Sequence, residues 1–149
     1  MRRHIAVALL AALVGGCGDD QDPSGAQALW QRLQAANYRG WARAPGYPTR
    51  RASDAPHSDA VDIYVNDVVQ RALAGGVPLS AWPVGSLIVK DGYSGSTHEL
   101  VAAMEKRADG WYWAEWRASG SALYSGRPSL CIDCHASGAD GVRAFALPR

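Results

Sequence analysis

Apolar and polar positions divide this chain into a few short elements joined by irregular connections. Ala26, Leu29, Trp30 and Leu33 recur at i, i+3, i+4 and i+7, the stripe of an amphipathic helix. Ser24 and Gln27 stand at capping-box spacing before it, and the pattern ends near Tyr38-Arg39-Gly40. Residues 42–59 carry Pro, Arg, Ser and Asp with no period and read as a loop. Val61, Ile63 and Val65 then alternate with Asp62, Tyr64 and Asn66, which predicts a half-buried strand. A short helix follows through residues 68–73 and stops at Gly75-Gly76.

Trp82-Pro83-Val84-Gly85 turns into Leu87-Ile88-Val89-Lys90, a strand apolar on both faces and therefore internal to a sheet. His98 to Arg107 fits helix and strand equally, because Leu100 and Met104 share a face at either period. Asp109-Gly110 turns into the aromatic strand Trp111 to Trp116. There is no internal repeat. Helix, strand, short helix and several strands in that order predict an α+β fold, mainly an antiparallel sheet with a few packed helices.

Composition narrows the function classes. The 149 residues hold 15 Lys+Arg against 14 Asp+Glu, and 19% are charged, a balance that excludes a basic nucleic-acid binder and an acidic disordered tail. Sixteen Gly and eight Pro are too many for a long-helix bundle. Six Trp and six Tyr against one Phe predict a core of large rings with polar handles.

The N-terminus reads as an export signal. Arg2, Arg3 and His4 precede ten apolar residues, Ile5 to Val14. As a helix these rise about 15 Å, roughly half a bilayer core, so they do not form a stable span. Val14-Gly15-Gly16-Cys17 resembles the lipobox of bacterial lipoproteins, which implies a signal peptide over 1–16, a lipid on Cys17, a polar tether over 17–23 and a folded domain over 24–149. Gly18 in place of aspartate hints by the same likeness at the outer membrane, on the periplasmic side. Losing Arg2 and Arg3 takes the formal charge from +1 to −1, so the membrane anchor is lipid rather than a polybasic patch.

Three cysteines are an odd number, and Cys17 accounts for one. The others form Cys131-Ile132-Asp133-Cys134-His135, the CxxCH pentapeptide that attaches haem c. On one helical turn i and i+3 project from the same side, so both thiols reach the two vinyl groups on one haem edge. The histidine lies about 100° further round and can bind iron beneath the ring. A zinc site would need a fourth ligand, with His57 and His98 the remaining nitrogen donors after signal removal. A thioredoxin-type redox motif would need a βαβ frame, and fourteen residues follow His135.

The opposite axial position decides what such a protein does. Met104, the one Met after the initiator, would have to serve in a His/Met electron carrier, and its apolar neighbours suit a core residue as well. His57 lies in a polar loop and His98 beside a turn, positions usual for solvated histidines. If none of the three binds, the iron is five-coordinate and open to a small molecule.

The order of motifs resembles the cytochrome P-460 / cytochrome c′-beta family of bacterial haem proteins. It rests on Tyr64-Val65-Asn66, the run Trp82 to Lys90, Met104-Glu105-Lys106-Arg107, Gly110-Trp111-Tyr112-Trp113 and Cys131 to His135, and spans roughly residues 55 to 145. The resemblance implies a mainly antiparallel fold, one covalent haem c, five-coordinate iron on His135, a redox partner protein and, often, a homodimer. In one branch a lysine is cross-linked to the porphyrin and hydroxylamine is oxidised with help from a distal carboxylate. In the other, an apolar pocket binds nitric oxide or carbon monoxide.

Lys90 stands where the family lysine falls, on the same strand face as Ile88, as a nucleophile or as a solvated strand-end residue. Glu115 shares a strand face with Trp111 and Trp113, as a distal acid–base group or as a surface charge. The c′-beta pocket relies on phenylalanine, and Phe145 follows the haem motif, so Tyr64, Trp82 or Leu87 is expected to cap the site. The expected function is that of a periplasmic lipid-anchored monohaem cytochrome binding or converting nitric oxide or hydroxylamine, or else a plain electron carrier using Met104.

Overall fold

β-Strands dominate the chain in a computed structural model that describes residues 21–54 and 56–149. The expected signal segment over 1–16 and Cys17 lie outside those residues. In chain order the elements are helix α1 (Pro23–Ala35), a 3-10 turn (Tyr38–Gly40), β1 (Ala42–Arg43), β2 (Arg51–Ala52), β3 (Ala60–Val65) and helix α2 (Asp67–Ala74). Then come β4 (Leu87–Ser94), β5 (Thr97–Arg107), β6 (Gly110–Arg117), β7 (Ala122–Gly126) and helix α3 (Ser129–His135). The strands form one antiparallel sheet in the order β1-β3-β4-β5-β6-β7, with β2 also paired to β3. Over the described residues the fold is therefore α+β, with a mainly antiparallel seven-stranded sheet and three helices. None of these helices is long and apolar enough to cross a membrane.

The ambiguous segment after His98 is a strand, because both of its edges are occupied: β4 pairs along one side and β6 along the other. Eleven residues of paired backbone outweigh any local helical preference. β4 is internal, as its double-sided apolar pattern predicts.

Alternation sends side chains to two faces with separate cores. On one face Tyr64, Leu87, Val89, Val101, Ala103, Tyr112, Ala114 and Trp116 meet Ala26, Leu29 and Leu33 of α1. Trp30 packs on Trp116 at 5.1 Å between ring centres. The cap of α1 is Asp22 rather than Ser24: its carboxylate accepts from Gly25 N at 2.9 Å, ahead of Pro23 in the first turn. Gln21 and Asp22, in the stretch expected as a tether, bond to Ser125, and the Tyr112 hydroxyl donates to the Asp22 carbonyl at 2.9 Å.

The other face buries Ile63, Val65, Ile88, Met104 and Trp113 beneath α2, α3 and the C-terminal segment. Val142, Ala144, Phe145 and Leu147 fold back onto it, with Phe145 edge-on to Trp82. Asn66 joins three elements with one side chain: its Oδ1 accepts from Val69 N and Leu87 N, and its Nδ2 donates to Gly85 O.

Candidate functional site

Sheet register assembles the site on this second face. Ile63, Lys90, Ala102, Glu115 and Tyr124 stand directly opposite one another across β3 to β7, and Val65, Ile88, Met104, Trp113 and Gly126 form the next such row. Lys90 and Glu115 are thus two strands apart, about 10 Å between backbones. Ala102 between them is too small to fill that span. The gap is the floor of a cavity of about 220 Å³ lined also by Ile88, Met104, Trp113, Tyr124, Leu130, Cys131, Cys134, His135 and His57. A second cavity of about 370 Å³ shares Ile88, Lys90, Met104, His57, Cys134 and His135 with it and adds Asp54, Ile63, Val142 and Arg143. Together they have the size and mainly apolar lining of a cofactor cleft.

Cys131, Cys134 and His135 come to this cleft on α3, one short helix that places the two thiols on the same side. Cys131 packs against the second core, and Arg143 Nη1 donates to Cys134 Sγ at 3.1 Å. His135 is the most constrained of the three. Its Nδ1 lies 2.7 Å from the Gly141 carbonyl, which can only accept, so Nδ1 carries the hydrogen and Nε2 keeps the lone pair. Burial pushes its pKa down to about 4, an effect that outweighs the Gly141 bond, so the ring is neutral at pH 7. Trp113 packs against it at 4.5 Å between ring centres.

A loop fixed by several hydrogen bonds carries the Gly141 carbonyl. Asp140, at φ 48°, accepts 2.8 Å bonds from Lys106 Nζ and from Trp82 N, and its own carbonyl accepts from Trp111 Nε1 at 2.7 Å. Trp82 Nε1 donates to the Ala139 carbonyl at 3.1 Å.

Lys90 is not a solvated strand-end lysine. It sits mid-strand in β4 with its side chain in the cleft, and burial followed by the charge of Arg143 lowers its pKa to about 8. Among the described residues no carboxylate lies within ion-pair distance of it. Glu115 is not a surface charge either: its side chain is 13% exposed and its Oε2 is 2.8 Å from Nδ1 of His57.

His57 and His98 both depart from the expectation of solvated histidines. His98 Nε2 lies 3.4 Å from the fully buried Asp91 and 3.3 Å from Arg39 Nη2, on the opposite face of β4, where Asp91 accepts from Tyr38 and Arg39. His57 lines both cavities, its ring centre 6.4 Å from that of His135. No local signal placed it in the cleft, because its partner Glu115 is 58 positions away. Nor do the expected caps stand over the site: Tyr64 and Leu87 belong to the α1 face and Trp82 packs on Phe145. The apolar walls are Ile88, Met104, Trp113 and Leu130.

Two thiols and one neutral, oriented imidazole on one turn of helix against an apolar cleft are a donor set that fits haem c. A bare metal ion fits less well, since no group of three or more His, Cys, Asp or Glu among the described residues is arranged to hold one. Comparison of the chain with protein-family models, with curated proteins and with solved structures finds no match.

Proposed function

We propose that this chain is a monohaem c-type cytochrome in which Cys131 and Cys134 form the thioethers and His135 is the proximal iron ligand. The observation that carries the reading is the convergence of these three side chains on the cleft, with the His135 ring neutral and pinned through Nδ1. When bound, haem c would supply a redox-active iron able to take a small ligand.

The chain's own residues set the terms of that chemistry. Gly141 holds the His135 tautomer and raises the donor strength of Nε2. Ile88, Met104 and Trp113 give the cleft a buried apolar wall, and Ala102 leaves room for a small ligand. Glu115 and His57 are a hydrogen-bonded pair able to hold a proton at the cleft wall. An apolar cleft beside an acid–base pair, together with the likeness to the cytochrome P-460 / cytochrome c′-beta family, favours small nitrogen-oxide ligands, nitric oxide first, with electrons exchanged with a partner protein. Export by the segment over 1–16 and lipidation at Cys17 would hold the protein to a bacterial membrane, facing the periplasm.

Expression with haem c maturation machinery, followed by haem staining after denaturing electrophoresis, tests the reading. One covalent haem per chain is expected. A wild type without stain, or stain that persists in a Cys131→Ser/Cys134→Ser variant, refutes it.

Two further readings each have an observation in their favour. The burial and lowered pKa of Lys90 favour a hydroxylamine-oxidising enzyme with a lysine–porphyrin cross-link. A strongly red-shifted ferrous Soret band that reverts in Lys90→Arg would select it. Met104 lines both cavities, as an electron carrier using its sulfur requires. Loss of the methionine–ferric band in Met104→Ala would select that one.

A further inference from the structure

Two imidazoles, not one, are fixed in the cleft. Each has Nδ1 committed to an oxygen acceptor: His135 to the Gly141 carbonyl at 2.7 Å and His57 to Glu115 at 2.8 Å. In the neutral ring each therefore keeps its lone pair on Nε2, the arrangement that carboxylate and carbonyl partners impose on metal-binding histidines.

The position of His57 is built rather than incidental. Its side chain is 17% exposed. The next residue, Ser58, adopts φ 75°, a strained conformation for a residue with a Cβ. Ser58 Oγ donates to Glu99 Oε2 at 3.0 Å, and Ser94 Oγ donates to Asp59 Oδ2 at 2.7 Å, which fastens the loop to the sheet. Gly92 of β4 permits the approach, because a Cβ there would meet the His57 carbonyl at 2.7 Å.

Distance separates the roles this second histidine can play. A metal–nitrogen bond of about 2 Å plus about 1.1 Å from nitrogen to ring centre puts two imidazoles on opposite sides of one metal roughly 6.2 Å apart. The observed separation is 6.4 Å, with the ring planes 63° apart. A histidine that only hydrogen-bonded to an iron-held ligand would need at least ~2 Å more, the space of the ligand and a hydrogen bond. Two imidazoles fall short of the roughly four donors a bare zinc takes, but they equal the two axial positions a haem leaves to its protein.

We infer that His57 is a reversible second axial ligand of the haem iron, pinned by Glu115 and displaced when a small external ligand binds. The inference rests on the haem reading above and replaces the five-coordinate resting iron expected from the sequence. His57 thereby tunes affinity as an internal competitor: the external ligand sees only the fraction of molecules in which His57 is released.

The test uses the haem-loaded protein and compares wild type with His57→Ala, Glu115→Gln and Met104→Ala. Wild type and Met104→Ala are expected to be low-spin in the ferric state, with the electron paramagnetic resonance and near-infrared signature of two imidazoles. His57→Ala is expected to be high-spin and to bind carbon monoxide at least ~10-fold more tightly, as loss of a bound internal competitor requires. Glu115→Gln should retain ligation with a smaller low-spin fraction. A high-spin wild type, or a low-spin state that survives His57→Ala, overturns the inference. Should His57→Ala not accumulate, the near-infrared band of the wild type decides alone, since two imidazoles and an imidazole–thioether pair absorb differently. Protein that takes up no covalent haem would refute the haem reading, whereas loaded protein indifferent to His57 would refute only this ligand.

Discussion

His135 and Gly141 are tied by a 2.7 Å hydrogen bond from the ring Nδ1 to the backbone carbonyl, and that bond reaches back to a salt bridge in the sheet. Gly141 follows Asp140, whose carboxylate is held by Lys106 and by the Trp82 amide. The orientation of an imidazole on α3 is thereby set from β5 and from the turn before β4. Asp140→Ala would leave a partly buried ammonium and a backbone amide without their acceptor. We expect a loss of about 2–3 kcal/mol in urea unfolding, with Lys106→Met losing less because the Trp82 bond survives. In haem-loaded protein, Asp140→Ala should also shift the redox potential, a readout that loss of stability alone would not move.

The neutral state of His135 makes stability depend on pH. Its folded pKa of about 4 lies below the ordinary value of 6.5, so between those values the unfolded chain binds the extra proton. This contribution is fully present above pH 6.5 and is lost as pH falls toward 4. Haem-free protein should lose about 1 kcal/mol from this group between pH 7 and pH 4.5, less than the full shift because the partly exposed ring is screened by solvent, and His135→Phe should flatten that part of the profile. Urea midpoints across the window, with both proteins side by side, check it.

Lys90 has the same sign and a different window. Its pKa of about 8 against an ordinary 10.5 means that burying the ammonium opposes folding at neutral pH. Lys90→Met should stabilise haem-free protein by about 1–3 kcal/mol at pH 7. Because the unfolded chain binds more protons between pH 8 and 10.5, the wild type gains on the variant as pH rises through that range. Equal midpoints at pH 7 would mean that the lysine reaches solvent.

Ala102 governs room in the cleft. It lies between Lys90 and Glu115 in the cross-strand row and lines the smaller cavity. Ala102→Leu places three more carbons there without touching the α1 core, so haem-free stability should change by less than about 1 kcal/mol. Haem staining per chain should fall several-fold. Normal loading would place the cofactor's space elsewhere in the cleft.

Gly92 tests how the loop before β3 is seated. Gly92→Ala brings a Cβ to 2.7 Å from the His57 carbonyl and 2.8 Å from Ser58 Oγ, so the loop must lift. Proteolysis at the loop should quicken, and stability should drop by about 1–3 kcal/mol.

Local pattern carried a large part of this protein. Period-2 alternation at Val61, Ile63 and Val65, the double-sided apolar run at 87–89 and the aromatic run at 111–116 each locate a strand, because strand burial is written in adjacent residues. The spacing of Cys131, Cys134 and His135 likewise carries its geometry within one turn of helix. Strand faces were legible too, which placed Lys90 beside Ile88 and Glu115 beside Trp113. What no local pattern contains is register between strands. Only the pairing of β4, β5 and β6 puts Lys90, Ala102 and Glu115 in one row and settles residues 97–107 as a strand. The same holds for His57 and for the Asp140–Gly141 loop: their partners lie tens of residues away, and hydrogen bonds across such distances form only once the sheet and the C-terminal segment close over it.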